Sequence, residues 1–211
     1  MSTSYVIAPD VIGLIVRGKK NADHSPGKLE QHADCILPCG QPVGFFGEGG
    51  DASSGSSGPS FSSFLKSWAN GPSLSWNSSG LNMKGKVAYY DDLKKIRPMY
   101  VSAELAKRYD VCSTVLLLKV TRAQAELFAQ YWIDLKLNPG AFNIIGKNCS
   151  TYASGAFIAT KIVTDGIPGL DTPNGLFEQL KAKHVGEKRI ISGFIGAQPT
   201  SGTNYDLVVE K

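Results

Sequence analysis

The segment GKNCSTYASGAFIATKI, Gly146 to Ile162, places one cysteine where a polar turn changes into a helical pattern. Cys149 reads in four ways: a buried structural thiol, half of a disulfide, a metal ligand or a nucleophile. If Asn148 to Ser150 open the helix, the thiol sits at its N-terminus. Backbone N–H groups and the positive end of the helix dipole favour thiolate there. The same N–H groups would stabilise an oxyanion formed by attack on an acyl carbon. Such a nucleophile needs a base, usually a histidine within hydrogen-bond reach. The chain has three histidines, His24, His32 and His184. His32 opens a predicted strand, which would fix its ring on a rigid element. His24 lies in a loop with Ser25, Pro26 and Gly27 and reads as a solvated side chain. His184 ends an amphipathic helix, where a cation suits the dipole. His32 is therefore the candidate base, and position alone leaves an inert Cys149 packed under its helix equally open.

Spacing removes two of the readings. Cys35, Cys39, Cys112 and Cys149 form no paired CxxC units, so a structural zinc site is not expected. Cys35 and Cys39 are near enough for a bridge across a turn, but four cysteines in 211 residues are not a disulfide framework. GLNMKGKV, Gly80 to Val87, matches GxxxxGK but has Val87 where a phosphate loop needs Ser or Thr for magnesium. GEGG has no following helix at dinucleotide spacing.

The elements that must position these residues read as follows. Val11–Lys19 is apolar and β-branched and predicts a strand. His32–Leu37 and Pro42–Phe46 predict two more, joined by the turn chemistry of PCGQ into a hairpin. Residues 47–60 are dominated by Gly and Ser and predict a flexible loop beside a site. SFSSFLKSWAN predicts a short helix and GKVAYYDD a strand. Ser113–Val120 is the clearest buried strand. A helix should follow it, since Thr121 and Gln124 have capping-box spacing and Ala125, Phe128, Ala129 and Trp132 form an apolar stripe. Its end is expected before Pro139. A further helix begins with Thr172 as N-cap and Pro173 at the first helical position. RIISGFIGA and YDLVVE predict closing strands. The sum is one α+β domain over 1–211, an antiparallel sheet with helices packed mainly on one face.

Composition excludes several classes. Hydrophobic residues are 42% and charged residues 19%, ordinary for a globular domain. The net charge of +4 is mild and its lysines are scattered, so no nucleic-acid partner is expected. No apolar run approaches the ~20 residues of a membrane span. The N-terminal stretch is broken by Pro9 and Asp10 and lacks a basic lead, so no signal peptide is expected and synthesis in the cytoplasm is.

NCSTYASGAF, followed by TPNGLFEQL, resembles the permuted branch of the NlpC-type, papain-like cysteine hydrolases. HADCILPCGQPVGFFGEG looks like that branch's histidine segment: a His opening a strand, a turn, then an apolar strand leading into glycines. The order His32 before Cys149 is that of the permuted members. Phe142 falls where such families often carry an aromatic. The resemblance spans Val11 to Lys181 in the order of elements and is specific in the two short segments. It implies a circularly permuted papain-like fold, Cys149 as nucleophile, His32 as base and no metal or organic cofactor. Related acyltransferases place a second His on the strand after the first, a position that here is Gly44. A third group must then come from elsewhere. Glu48 is the choice, with Gln41 and Asp10 as alternatives. Asp34 shares a strand face with His32, but side by side is a poor geometry for orienting the ring. Asn148 serves the site or simply caps the helix.

The resemblance further implies amide cleavage in peptidoglycan stem peptides. It suggests an antibacterial effector delivered by type VI secretion into the periplasm of target bacteria and countered by a cognate immunity protein. Two other readings stay open: a lipid or acyl thioesterase or acyltransferase of the same fold, and a non-catalytic binding module with Cys149 merely buried.

Overall fold

A computed structural model describes residues 2–27, 31–47, 83–142, 148–164 and 172–211. Among them, nine strands form one antiparallel sheet, and five α-helices accompany it. The strands are β1 (Ser2–Val6), β2 (Val11–Arg17), β3 (His32–Ile36), β4 (Pro42–Gly47), β5 (Met83–Tyr89), β6 (Cys112–Lys119), β7 (Ala141–Phe142), β8 (Lys188–Pro199) and β9 (Tyr205–Glu210). Their order is β1-β9-β8-β6-β2-β3-β4-β5-β7. The helices are α1 (Tyr90–Ile96), α2 (Ala103–Arg108), α3 (Arg122–Leu137), α4 (Cys149–Ala159) and α5 (Pro173–Lys183).

The expected α+β class and its antiparallel sheet are present. β2 and β6 occupy the middle and are buried on both faces, which is why they read as apolar runs without alternation. Ile12, Leu14 and Val16 point to one face, where Phe128 and Trp132 of α3, Ala153 and Phe157 of α4, and Leu176 and Phe177 of α5 close a large core. Ile15 points to the other face, where it meets Ile36, Val115, Leu117, Ile195 and Leu207. That second core draws on strands and on Ile7 between β1 and β2, with no helix residue in it, so the sheet must curl around its own side chains. The return contact shows this. β9 lies four strands from β3, yet a β-carbon on Gly40, in the β3–β4 turn, would fall 2.0 Å from the Tyr205 carbonyl oxygen. Gly40 also has φ +92°, so glycine is needed there twice over.

The helix starts follow the predicted caps. Thr121 accepts from the Gln124 amide, and Gln124 returns the bond to the Thr121 amide. Thr172 accepts from Gly175, with Pro173 in the first turn. Three local differences stand out. GKVAYYDD is strand only as far as Tyr89; Tyr90 starts α1, because Asp92 accepts from the Tyr89 amide and Asp91 and Asp92 suit a helix N-terminus. α2 starts at Ser102, whose hydroxyl accepts from Leu105. β1 is largely exposed and pairs at the edge with β9. The expected loop beyond Gly47, the helix in SFSSFLKSWAN and the first residues of GLNMKGKV lie outside the described residues; Met83–Val87 are strand.

Candidate active site

β3 carries two faces. Ala33 and Cys35 belong to the helix-side core, whereas Asp34 and Ile36 point into the curled side, as alternation requires. β3 pairs with β2 along its whole length, from Gly13–Ile36 to Arg17–His32. Its pairing with β4 ends at Asp34–Gly44, although β4 continues beside β5 to Gly47–Gly85. The two strands part at this end of the hairpin, and the start of α4 lies in the opening.

Asn148 is the N-cap of α4, and its side-chain oxygen accepts from the amides of Ser150 (3.1 Å) and Thr151 (3.2 Å). The cap thus consumes two of the first-turn donors expected for an oxyanion and leaves Cys149's own amide out of its grip. Cys149 is buried, with 8% exposure, and its Sγ accepts from the Ala33 amide at 3.5 Å. Sulfur therefore takes the place beside Ala33 that a continued β4 would fill.

His32 stands next to this sulfur. Its ring stacks on Phe46 at 4.5 Å and lies at a tilt 5.6 Å from Tyr100. Its Nε2 is 2.9 Å from Asp34 Oδ1. The approach is close but oblique: neither atom makes a well-directed hydrogen bond, so the contact acts mainly as an ion pair. The other carboxylate oxygen, Oδ2, accepts from Arg17 Nε at 2.9 Å. Arg17 and Asp34 are both buried, at 2% and 0% exposure.

The electrostatics follow from this row of charges. Burial pushes the Cys149 thiol up, but attraction to His32 and hydrogen bonds from His32 and Ala33 more than offset it, and Cys149 is held below the ordinary thiol value. Burial pushes His32 down, yet Cys149 and Asp34 outweigh it and raise the ring well above the usual histidine value. Burial pushes Asp34 up, and His32 and Arg17 together bring it below the usual carboxylate value. All three directions favour a thiolate–imidazolium pair backed by a carboxylate. Cys35, beside them on the helix side, is driven the opposite way by burial, Asp34 and Cys149, and stays a thiol.

Cys149 and His32 are thus brought together as expected from the sequence. Of the described alternatives, Gln41 and Asp10 are not brought to them. Glu48 lies outside the described residues. Gln41 is at the far end of the hairpin, where its amide approaches the Tyr205 hydroxyl at 3.4 Å. Asp10 precedes β2 at the end opposite Arg17, and its carbonyl accepts from Val120. His24 accepts from the Lys20 amide through Nδ1. His184 is the C-cap of α5, but burial and Lys188 push it below its ordinary value, against the cationic role expected there. Phe142 joins Phe45 and Tyr152 in an aromatic cluster beside the first turn of α4. All four cysteines are free thiols.

Asp34 is the residue that strand geometry argued against. The side-by-side objection describes the oblique angle correctly, but the short distance and the burial make the charge effective all the same. Arg17 carried one legible signal: it is a charged residue on the same face as Ile15, inside a buried run. Comparison of the chain with family models, with curated proteins and with solved structures gives no match.

Proposed function

We propose that this chain is a cysteine hydrolase that cleaves an amide bond through an acyl-enzyme. The observation that carries the reading is the meeting of His32 and the Ala33 amide at the Cys149 sulfur, with Asp34 behind the imidazole. An inert structural thiol has no use for a buried carboxylate, imidazole and guanidinium in series, because burying charge is costly unless it serves something.

In this reading the Cys149 thiolate attacks the carbonyl carbon. A carbon–sulfur bond forms and the carbonyl electrons move to oxygen, toward the amide of Cys149 at the helix N-terminus. As the carbon–nitrogen bond breaks, the His32 imidazolium gives its proton to the leaving amine. Neutral His32 then takes a proton from water. The hydroxide attacks the thioester, the carbon–sulfur bond breaks, and the acid leaves.

The substrate rests on the resemblance to the permuted NlpC-type, papain-like hydrolases. It implies a peptidoglycan stem peptide, in an antibacterial effector acting in the target periplasm and held in check by an immunity protein. Incubating purified sacculi with wild type and Cys149→Ala, and analysing the released muropeptides, tests this directly. Cys149-dependent cleavage is expected, and its absence removes the peptidoglycan assignment. One observation favours the acyl-transfer alternative: Phe46 and Tyr100 give His32 aromatic neighbours suited to an apolar chain. Cys149-dependent hydrolysis of acyl thioesters, with intact sacculi, would select it.

A further inference from the structure

Arg17 stands one step behind Asp34. Strand alternation gives its position to the apolar interior, beside Ile15, and a guanidinium there must earn its place through its contacts. Its Nη2 donates to the Tyr100 carbonyl at 2.8 Å, and its Nη1 faces the Ile195 carbonyl at 3.3 Å and Ser113 Oγ at 3.5 Å. Arginine and carboxylate usually pair through two parallel bonds. Here the pairing is single, Nε to Oδ2, because both terminal nitrogens are spent on β6, β8 and the turn at Tyr100. Oδ1 is thereby left to His32. The guanidinium also lies 4.6 Å over the Tyr100 ring, which is itself a neighbour of His32.

We propose that Arg17 is a positioning residue for the Cys149–His32 pair: by holding Oδ2 it keeps Oδ1 of Asp34 turned to the imidazole, and it holds Tyr100 against the ring. This rests on the reading of Cys149 and His32 as the reacting pair. In the frequent two-bond form Arg17 would occupy both oxygens of Asp34 and leave neither to His32. Among the described residues, the partners that act on His32 and Asp34, besides each other, are Arg17 from β2 and Cys149 from α4; Cys35 on β3 and Tyr100 are the other titratable side chains beside them. Arg17 is the one fixed positive charge of that set. Without it nothing holds Oδ2, Asp34 turns Oδ1 away from the ring, the imidazolium loses its carboxylate partner, and the His32 midpoint falls; loss of the Arg17 charge alone would move that midpoint the other way.

The test is an NMR titration of the imidazole signals of the full chain, with His32 assigned through His32→Gln. In Arg17→Gln the His32 midpoint is expected to drop by about one pH unit or more, while His184 holds still. Arg17→Lys keeps the charge but cannot reach all three elements, and a smaller drop is expected. An unmoved or raised His32 midpoint in folded Arg17→Gln overturns the proposal; if that variant does not fold, an unmoved or raised midpoint in Arg17→Lys does. The readout needs no substrate, so the two readings fail separately. Intact sacculi with a shifted His32 would sink the peptidoglycan assignment alone. Cleaved sacculi with an unmoved His32 would sink the role of Arg17 alone.

Discussion

Gly44 faces Asp34 across the β3–β4 ladder, and a β-carbon at position 44 would fall 2.3 Å from Asp34 Oδ1. The carboxylate therefore fills the space that a side chain at position 44 would need. The carboxylate that meets His32 sits on the histidine's own strand, and the neighbouring strand gives up its side chain to make room.

Gly44→Ala puts this to work. The added methyl also meets Phe46 at 2.9 Å, and Asp34 cannot swing aside while Arg17 holds Oδ2. Overpacking of this kind costs about 1–3 kcal/mol. The larger effect is expected on function, a loss of tenfold or more in Cys149 alkylation by iodoacetamide at neutral pH, roughly one pH unit of coupling. Urea unfolding and alkylation rates on the same preparation separate the two.

Asp34→Asn keeps the shape and removes the charge. Arg17 would then be buried without an anionic partner, so stability should fall by about 3–5 kcal/mol. Turnover is expected to drop about a hundredfold, since the base loses its imidazolium support. A variant that is destabilised yet turns over at the wild-type rate would remove Asp34 from the site.

Asn148→Ala separates capping from chemistry. Losing the two bonds to Ser150 and Thr151 should cost about 1 kcal/mol. The Ser150 and Thr151 amides belong to the first turn of α4 with or without the cap, so turnover should change less than the stability loss suggests. Thermal melts alongside steady-state rates decide the matter.

Folding stability should depend on pH in two opposite ways. Asp34 has a lowered folded value, so its contribution is full above the ordinary carboxylate range and drains away as pH falls through the folded value. His32 has a raised folded value, so its contribution is full below the ordinary histidine value of 6.5 and is lost as pH climbs through the folded one. Urea midpoints of wild type and His32→Gln across the pH range should converge on the alkaline side. Parallel curves there would contradict the coupling.

Much of this molecule is legible from local rules. Thr121 with Gln124, Asn148 before Cys149, and Thr172 before Pro173 mark three helix starts, because a cap needs only its own next few residues. His32 at the head of a strand and Cys149 at the head of a helix were visible for the same reason. Tyr90 was harder, because an apolar strand runs straight into a helix and only Asp92 marks the change. The partnership of Asp34 with His32 and Arg17 belongs to tertiary structure. It depends on which residue of β4 faces Asp34, on where β3 and β4 part, and on a curl that brings β8 and the Tyr100 turn over Arg17. Periodicity tells which face a side chain takes. What waits on that face is decided by strands far apart in sequence, through packing and the need to pair every buried charge.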